Sequence, residues 1–155
     1  MIKKYGLLVL MAILVLGLLF ALIYKDSIYE IIGNGIQQNS TAAEKFEAGK
    51  YVDREFNYNN NKKDFDFTLL EFKSTGCTIC KQMEPILEAI KNWDGAKVNV
   101  QVIQIMNPDS QELMRYYGIA AVPTHIILNK QAEEIYRKYG AIPENELKSQ
   151  LLSKQ

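Results

Sequence analysis

The residues of this sequence best suited to covalent chemistry are its two cysteines. Cys77 and Cys80 are the only ones in the chain, and two residues separate them. They follow a compact apolar run at 67–72 and precede a segment whose apolar residues have helical spacing, which predicts a strand-to-helix junction. A thiolate at a helix N-terminus meets unpaired N–H groups and the positive end of the helix dipole, and both lower its pKa. The C-x-x-C pair in this context predicts thiol–disulfide exchange.

The order of the two cysteines predicts different roles for them. Cys77 comes first and is the candidate nucleophile, whereas Cys80 lies one helical turn later on the same side. Cys80 is therefore the candidate resolving thiol, which attacks a mixed disulfide between Cys77 and a substrate. Thr78 and Ile79 separate the two sulfurs and are candidates for substrate contact, and Lys81 adds a nearby positive charge.

Three other interpretations of the cysteine pair stay open at this point. A structural disulfide across two residues would stabilise weakly, because it removes little chain entropy. Half of a zinc site would need two further ligands, and only His125 and carboxylates are available. Two ordinary buried cysteines are the third possibility. We expect redox chemistry, with neither a metal ion nor a cofactor.

Composition excludes several other functions. The 155 residues include 18 Lys+Arg against 18 Asp+Glu, and this zero net charge argues against a nucleic-acid binder with a strongly basic surface. A Ser-His-Asp hydrolase would rest entirely on His125, the only histidine. A charged fraction of 23% with six Phe and nine Tyr is not typical of a disordered chain.

The N-terminal 25 residues are predicted to form a signal-anchor transmembrane helix. No charged residue lies between Lys4 and Lys25, and about twenty helical residues span roughly 30 Å of hydrocarbon. The alternative is a cleaved signal peptide, but the apolar run is longer than an h-region, and no small-x-small site follows it closely. The chain is thus expected to contact the membrane through this helix.

The charges that flank the apolar run predict its orientation. Lys3, Lys4 and the amino terminus precede the run, whereas Asp26 directly follows Lys25. By the positive-inside rule, the N-terminus lies in the cytoplasm and residues 26–155 lie outside it. We therefore expect a single-pass protein of the cell membrane with an extracytoplasmic domain.

Between the apolar run and the cysteines, the patterns are weaker. Residues 26–40 mix polar residues with two glycines and predict a tether, followed by a domain at 41–155. Thr41 and Glu44 have capping-box spacing at the start of a short helix. Residues 51–56 are interpreted as an edge strand, and residues 58–64 as a polar loop.

From residue 67 onward the predicted elements alternate. Apolar runs and alternation predict strands, and apolar residues three or four apart predict helices. The predicted strands are 67–72, 98–105, 125–129 and 133–140, and the predicted helices are 81–93, 107–118 and 142–154. This order predicts an α/β fold in which helices flank a central mixed sheet that ends in an antiparallel hairpin.

Two stretches of the sequence resemble the thioredoxin superfamily. LLEFKSTGCTICKQMEPILEAI (69–90) is similar to the active-site strand and helix of thioredoxins, and YYGIAAVPTHIIL (116–128) is similar to their YG(I/V)xxxPT stretch. The resemblance implies the thioredoxin-like fold. The layout most resembles membrane-anchored extracytoplasmic thioredoxin-like proteins of bacteria.

The resemblance also implies roles for individual residues. Pro123 matches the family's cis-proline, beside which the backbone of Val122 would pair with a bound substrate strand. Glu71 matches a buried acid that exchanges a proton with Cys80 during resolution, and its apolar neighbours in the strand favour burial. His125 follows the Pro-Thr pair, and a lone histidine in a strand usually has a structural role.

The function implied by the resemblance is thiol–disulfide exchange with disulfide-bearing proteins outside the cytoplasm, with reduction as the expected direction. A transmembrane thiol carrier would supply the electrons. Gly76 and Lys73 replace two tryptophans of the family, and Thr78-Ile79 matches neither the reducing nor the oxidising dipeptide. The alternatives are therefore a disulfide oxidase or isomerase of the same fold, and a non-catalytic accessory module that binds peptides.

Overall fold

The part of the chain before the first strand consists of helices. A computed structural model describes residues 2–154. Helix α1 (Ile2–Ile23) is long and apolar enough over Gly6–Ile23 to cross a membrane, and none of these residues is buried by the rest of the protein. A signal sequence has the same two features. After a bend at Tyr24, helix α2 (Lys25–Asn39) follows almost directly.

Helix α2 corrects the prediction of an irregular tether. Its glycines lower its intrinsic helix propensity, but contacts with the rest of the protein compensate for this. The backbone at the buried Gly33 approaches that of Gly118 so closely that a Cβ atom on Gly33 would lie 2.4 Å from the Gly118 carbonyl oxygen. Gln37 donates a hydrogen bond of 2.8 Å to the Tyr116 carbonyl. Helix α2 is therefore packed against the predicted 41–155 domain.

Helix α3 (Ala42–Phe56) begins with the predicted capping box, in which Thr41 and Glu44 bond reciprocally. It continues through residues 51–56, so the interpretation of this segment as an edge strand was wrong. The physical reason is that Ala48, Val52 and Phe56 recur four residues apart and are all buried on one helix face. The predicted polar loop likewise contains a single helical turn, α4 (Tyr58–Asn61).

Four strands form one mixed sheet in the order β2-β1-β3-β4. Strand β1 pairs in parallel with β2 and antiparallel with β3, and β3 and β4 form the predicted antiparallel hairpin. The strands are β1 (Phe67–Lys73), β2 (Val98–Gln104), β3 (Thr124–Leu128) and β4 (Glu134–Tyr139). Each overlaps its predicted segment, because burial on a pleated sheet is encoded in short apolar runs.

Helices cover both faces of the sheet and create two apolar clusters. The first cluster, which we call the α5 face, joins Leu69 and Ile127 of the sheet to buried residues of α5 and α7. The second, the α6 face, joins Leu70 and Phe72 to buried residues of α3 and α6. The covering helices in the second half of the chain are α5 (Thr78–Lys91), α6 (Gln111–Tyr117) and α7 (Glu144–Leu152). The predicted thioredoxin-like architecture is thus confirmed.

Candidate active site

The two cysteines lie where the sequence predicted them, at the junction between β1 and α5. They form a disulfide bond, and their Cα atoms are 5.3 Å apart. Cys77 is the N-cap residue of α5, and its sulfur accepts a hydrogen bond of 3.1 Å from the backbone N–H of Cys80. A thiolate on Cys77 would therefore be stabilised by an otherwise unpaired N–H group of the first helical turn.

The two sulfurs differ in accessibility. Cys77 is half-buried, whereas Cys80 is 1% exposed. Cys80 also begins the buried stripe of α5, which continues through Met83, Leu87 and Ile90 and faces the sheet. Only Cys77 is thus positioned to meet a substrate directly, and Cys80 can be reached from within the protein.

A cavity of about 190 Å³ adjoins the disulfide. Lys73 lies in its wall with 15% of its side chain exposed, and its Nζ atom is 2.8 Å from Oε1 of Glu84. This hydrogen bond from Lys73 is the main reason that the pKa of Glu84 lies below its usual value. Lys81 also lines the cavity. The entrance to the disulfide therefore has one paired and one solvent-facing cation.

The Val122–Pro123 segment lies at the same end of the sheet as the cysteines. The peptide bond between these residues is cis, as the resemblance implied. Strand β3 begins directly afterwards, and its first residue pairs with Phe72 near the end of β1. Within the described part of the chain, no hydrogen bond engages the backbone N–H or C=O of Val122. These groups are free to pair with an extended peptide.

The two residues between the cysteines are on the surface. Thr78 is exposed, and Ile79 has 45% of its surface accessible to solvent. Both are therefore accessible to a macromolecular substrate that approaches Cys77. An exposed Ile beside a reactive sulfur also supplies apolar area for such a contact.

Glu71 and His125 form a buried pair beneath this surface. Both are completely buried, which agrees with the expectation for Glu71. They are direct partners in the β1–β3 register, and Nε2 of His125 is 3.7 Å from Oε1 of Glu71. Since side chains alternate along a strand, Glu71 points to the same face as Leu69, which is the α5 face toward which Cys80 is directed.

Sequence reasoning did not find this contact, because it treated His125 as a structural residue. The alternation of side chains along each strand could have indicated it: in paired antiparallel strands, register partners such as Glu71 and His125 point to the same face of the sheet. Lys73 was likewise noted only as a departure from the family pattern. Among residues 2–154, no group of three or more His, Cys, Asp and Glu side chains is arranged to hold a metal ion.

Comparison with known proteins gives consistent results. Residues 48–153 match the thioredoxin family. The chain is 35% identical over 85 residues to "Thioredoxin Y, chloroplastic" of Oryza sativa subsp. japonica, covering 55% of this chain and 49% of the rice protein. It is 35% identical over 83 residues to the thioredoxin of Buchnera aphidicola, covering 53% of this chain and 73% of that protein. The chain thus spans about half the length of the rice relative.

A solved structure supports the same assignment. A mutant thioredoxin from Halobacterium salinarum NRC-1 superimposes with a TM-score of 0.52 at 26% identity. The match covers 59% of this chain and 77% of the archaeal one. The C-x-x-C disulfide at the start of α5, the cis-proline before β3 and the family match over residues 48–153 agree, and the chain belongs to the thioredoxin family.

Proposed function

We propose that this protein is a membrane-anchored thiol–disulfide oxidoreductase that reduces disulfides of extracytoplasmic proteins. The observation that carries the proposal is the asymmetry of the Cys77–Cys80 disulfide, with one sulfur at a helix N-cap near the surface and the other buried. A structural disulfide across two residues has no need for this asymmetry and contributes little stability.

The reaction starts from the reduced pair. The Cys77 thiolate attacks a substrate disulfide, a sulfur–sulfur bond forms between Cys77 and the substrate, and the other substrate sulfur leaves as a thiolate that takes a proton. Cys80 then loses its proton and attacks Cys77, which forms the Cys77–Cys80 disulfide and releases the second substrate thiol. The cysteine pair gives up two electrons and the substrate gains them with two protons, one from Cys80 and one from the solvent, which took it from Cys77 when the thiolate formed. Glu71 is the proposed acceptor of the Cys80 proton.

Substrate contact is assigned to the surface around Cys77. The unpaired backbone of Val122 can hydrogen bond to an extended segment of the substrate, beside Pro123. We assign Thr78 and Ile79, which are exposed next to Cys77, to contact with the same substrate. Backbone pairing of this kind tolerates many substrate sequences, which fits a protein that recognises disulfide-bearing proteins as a class.

The membrane location is proposed from the first 25 residues. Helix α1 presents an unburied apolar surface over Gly6–Ile23, and Lys3 and Lys4 precede it. The positive-inside rule then assigns the N-terminus to the cytoplasm and residues 26–155 to the outside. A reductase on that side needs electrons, and we assign their supply to a transmembrane thiol carrier.

The test of the exchange reaction uses Cys80→Ser. Without the resolving thiol, Cys77 should retain its substrates as mixed disulfides, which reductant releases and mass spectrometry identifies. The matched control is Cys77→Ser with Cys80→Ser, which should retain none. If Cys80→Ser forms no adduct where a thioredoxin with the same substitution does, the chain is not an oxidoreductase, and a peptide-binding role takes its place.

The direction of electron flow is tested by the reduction potential of the full chain in detergent micelles. A potential at or below that of glutathione supports the reductase, since about 30 mV corresponds to a tenfold change in the equilibrium of a two-electron couple. A much higher potential would instead assign the protein as a disulfide oxidase or isomerase.

A further inference from the structure

The buried Glu71–His125 pair has a feature that packing alone does not explain. Throughout residues 2–154, no hydrogen bond reaches either carboxylate oxygen of Glu71 or either ring nitrogen of His125. Buried polar atoms without partners are costly, and most proteins avoid them. Here the unpaired atoms belong to two ionisable side chains whose closest approach is 3.7 Å. These atoms can exchange a proton with each other after a small movement.

The pair is enclosed by apolar residues and a few titratable ones. On the α5 face, the neighbouring cross-strand pair is Leu69 and Ile127, and both are completely buried. In the sheet, Val102 of β2 is the register partner of Glu71, and Lys138 of β4 is that of His125. The other titratable groups on this face are Cys80 in the buried side of α5, Glu146 of α7 paired with Lys138, and Lys73 of β1 bonded to Glu84.

Lys138 lies beside the pair in the sheet and is engaged elsewhere. It is opposite His125 in the β3–β4 register, its side chain is 35% exposed, and its Nζ atom is 3.7 Å from Glu146. Lys73 is likewise bonded to Glu84. His125 is therefore the group in direct contact with Glu71 that can balance a negative charge there.

We propose that His125 is a positioning residue for the resolving step, which holds the Glu71 carboxyl as acceptor for the proton that leaves Cys80. This inference rests on the proposed function. In this step the Cys80 S–H bond breaks and its proton moves to Glu71, while the Cys80 sulfur displaces the substrate sulfur from Cys77. The proton then passes from the pair to the departing substrate thiolate, so that no proton or electron is gained or lost overall.

The charge on His125 determines whether Glu71 can act. A protonated imidazole beside Glu71 stabilises the carboxylate form, which can take a further proton. A neutral group in its place leaves the carboxylate buried without a neighbouring cation, which makes it a poorer acceptor, and hydroxide from the solvent must take the Cys80 proton instead. The resolving step should then need a higher pH, whereas attack by the half-buried Cys77 should not change.

An aromatic disulfide that releases a coloured thiolate separates the two steps. The reduced full chain in detergent micelles releases one coloured thiolate when Cys77 attacks and a second when Cys80 resolves the adduct. His125→Gln should leave the first phase unchanged and slow the second about tenfold or more at pH 7, with recovery as the pH rises. Glu71→Gln should slow the second phase similarly, and the double variant should be no slower than either single one.

Three controls make the outcome decisive. Thermal unfolding shows that each variant is folded, and His125→Lys, which retains a cation, should restore part of the second phase. Lys138→Gln should leave the pH profile of the second phase unchanged. The inference about His125 is wrong if the second phase of His125→Gln has the rate and pH profile of the unsubstituted chain. It is also wrong if Lys138→Gln shifts the pH profile of the second phase and His125→Gln does not. If Cys80→Ser gives no first phase, the proposed function itself is wrong.

Discussion

Strand β1 presents two chemically different faces to the interior of the protein. Toward α3 and α6 it directs Leu70 and Phe72, together with Thr68, whose neutral hydroxyl is hydrogen bonded to Tyr58. Toward α5 and α7 it directs Leu69 and Glu71, and Glu71 meets His125 there. Glu71 is as completely buried as Leu70, so that the degree of burial does not distinguish the two faces.

The difference is that, among the described residues, the completely buried carboxyl and imidazole both lie on the α5 face, and it separates stability from chemistry. On the α6 face Tyr117 is buried, and burial raises the pKa of its hydroxyl so that it stays neutral. On the α5 face, ionisable groups are buried within reach of the cysteine helix. We infer that the α6 face supplies stability and that the α5 face gives up some stability to hold a proton acceptor.

The largest effect on stability is expected on the α6 face. Phe72→Ala removes a completely buried aromatic ring and should lower the free energy of unfolding by about 3 to 5 kcal/mol. Urea unfolding of the reduced full chain in micelles measures this change. The rates of thiol–disulfide exchange by the folded fraction of Phe72→Ala should stay near those of the unsubstituted chain. A large loss of resolving rate in folded Phe72→Ala would contradict the separation of the two faces.

A smaller effect of opposite sign is expected on the α5 face. Glu71→Leu combined with His125→Leu replaces an unbonded ionisable pair by apolar side chains and should raise the free energy of unfolding by about 1 to 4 kcal/mol. The resolving step should slow at the same time. The matched single variant His125→Leu should instead destabilise, because it leaves Glu71 without its partner. A double variant less stable than both single variants would show that the pair stabilises the fold.

The smallest effect is expected at the opposite end of β1, where a charge serves structure alone. Asp66 accepts hydrogen bonds from the backbone N–H of Lys97 at 3.0 Å and from Nζ of Lys130 at 2.9 Å, and the first of these is the main reason that its pKa is lowered. A lowered folded-state pKa means that Asp66 contributes stability above the usual carboxyl range and loses it as the pH falls through the lowered pKa.

Asp66→Asn should therefore be less stable than the unsubstituted chain near neutral pH, with the difference shrinking in acid. Thermal unfolding between about pH 7 and about pH 3 measures it, and the resolving rate should not change. A difference that is independent of pH would mean that the carboxylate charge at this site has no part in stability.

Much of the fold could be predicted from sequence because it depends on local patterns. The strands, the cysteine helix and the hairpin follow from apolar runs of matching length and period, and the capping box at Thr41 follows from two side chains three residues apart. Residues 51–56 show the limit of this reasoning: aromatic and β-branched residues suggest a strand, but Val52 and Phe56 are buried from a helix.

The features of the candidate site also differ in whether they could be predicted from local sequence. The sequence by itself determined the C-x-x-C pair at a strand-to-helix junction, the proline before the third strand and the apolar N-terminal helix, because each is encoded within a few consecutive residues. Only the tertiary structure decided that α2 packs through Gly33 and that His125 meets Glu71. Both contacts join segments far apart in the chain, and their formation depends on how strands pair and helices cross rather than on any local pattern.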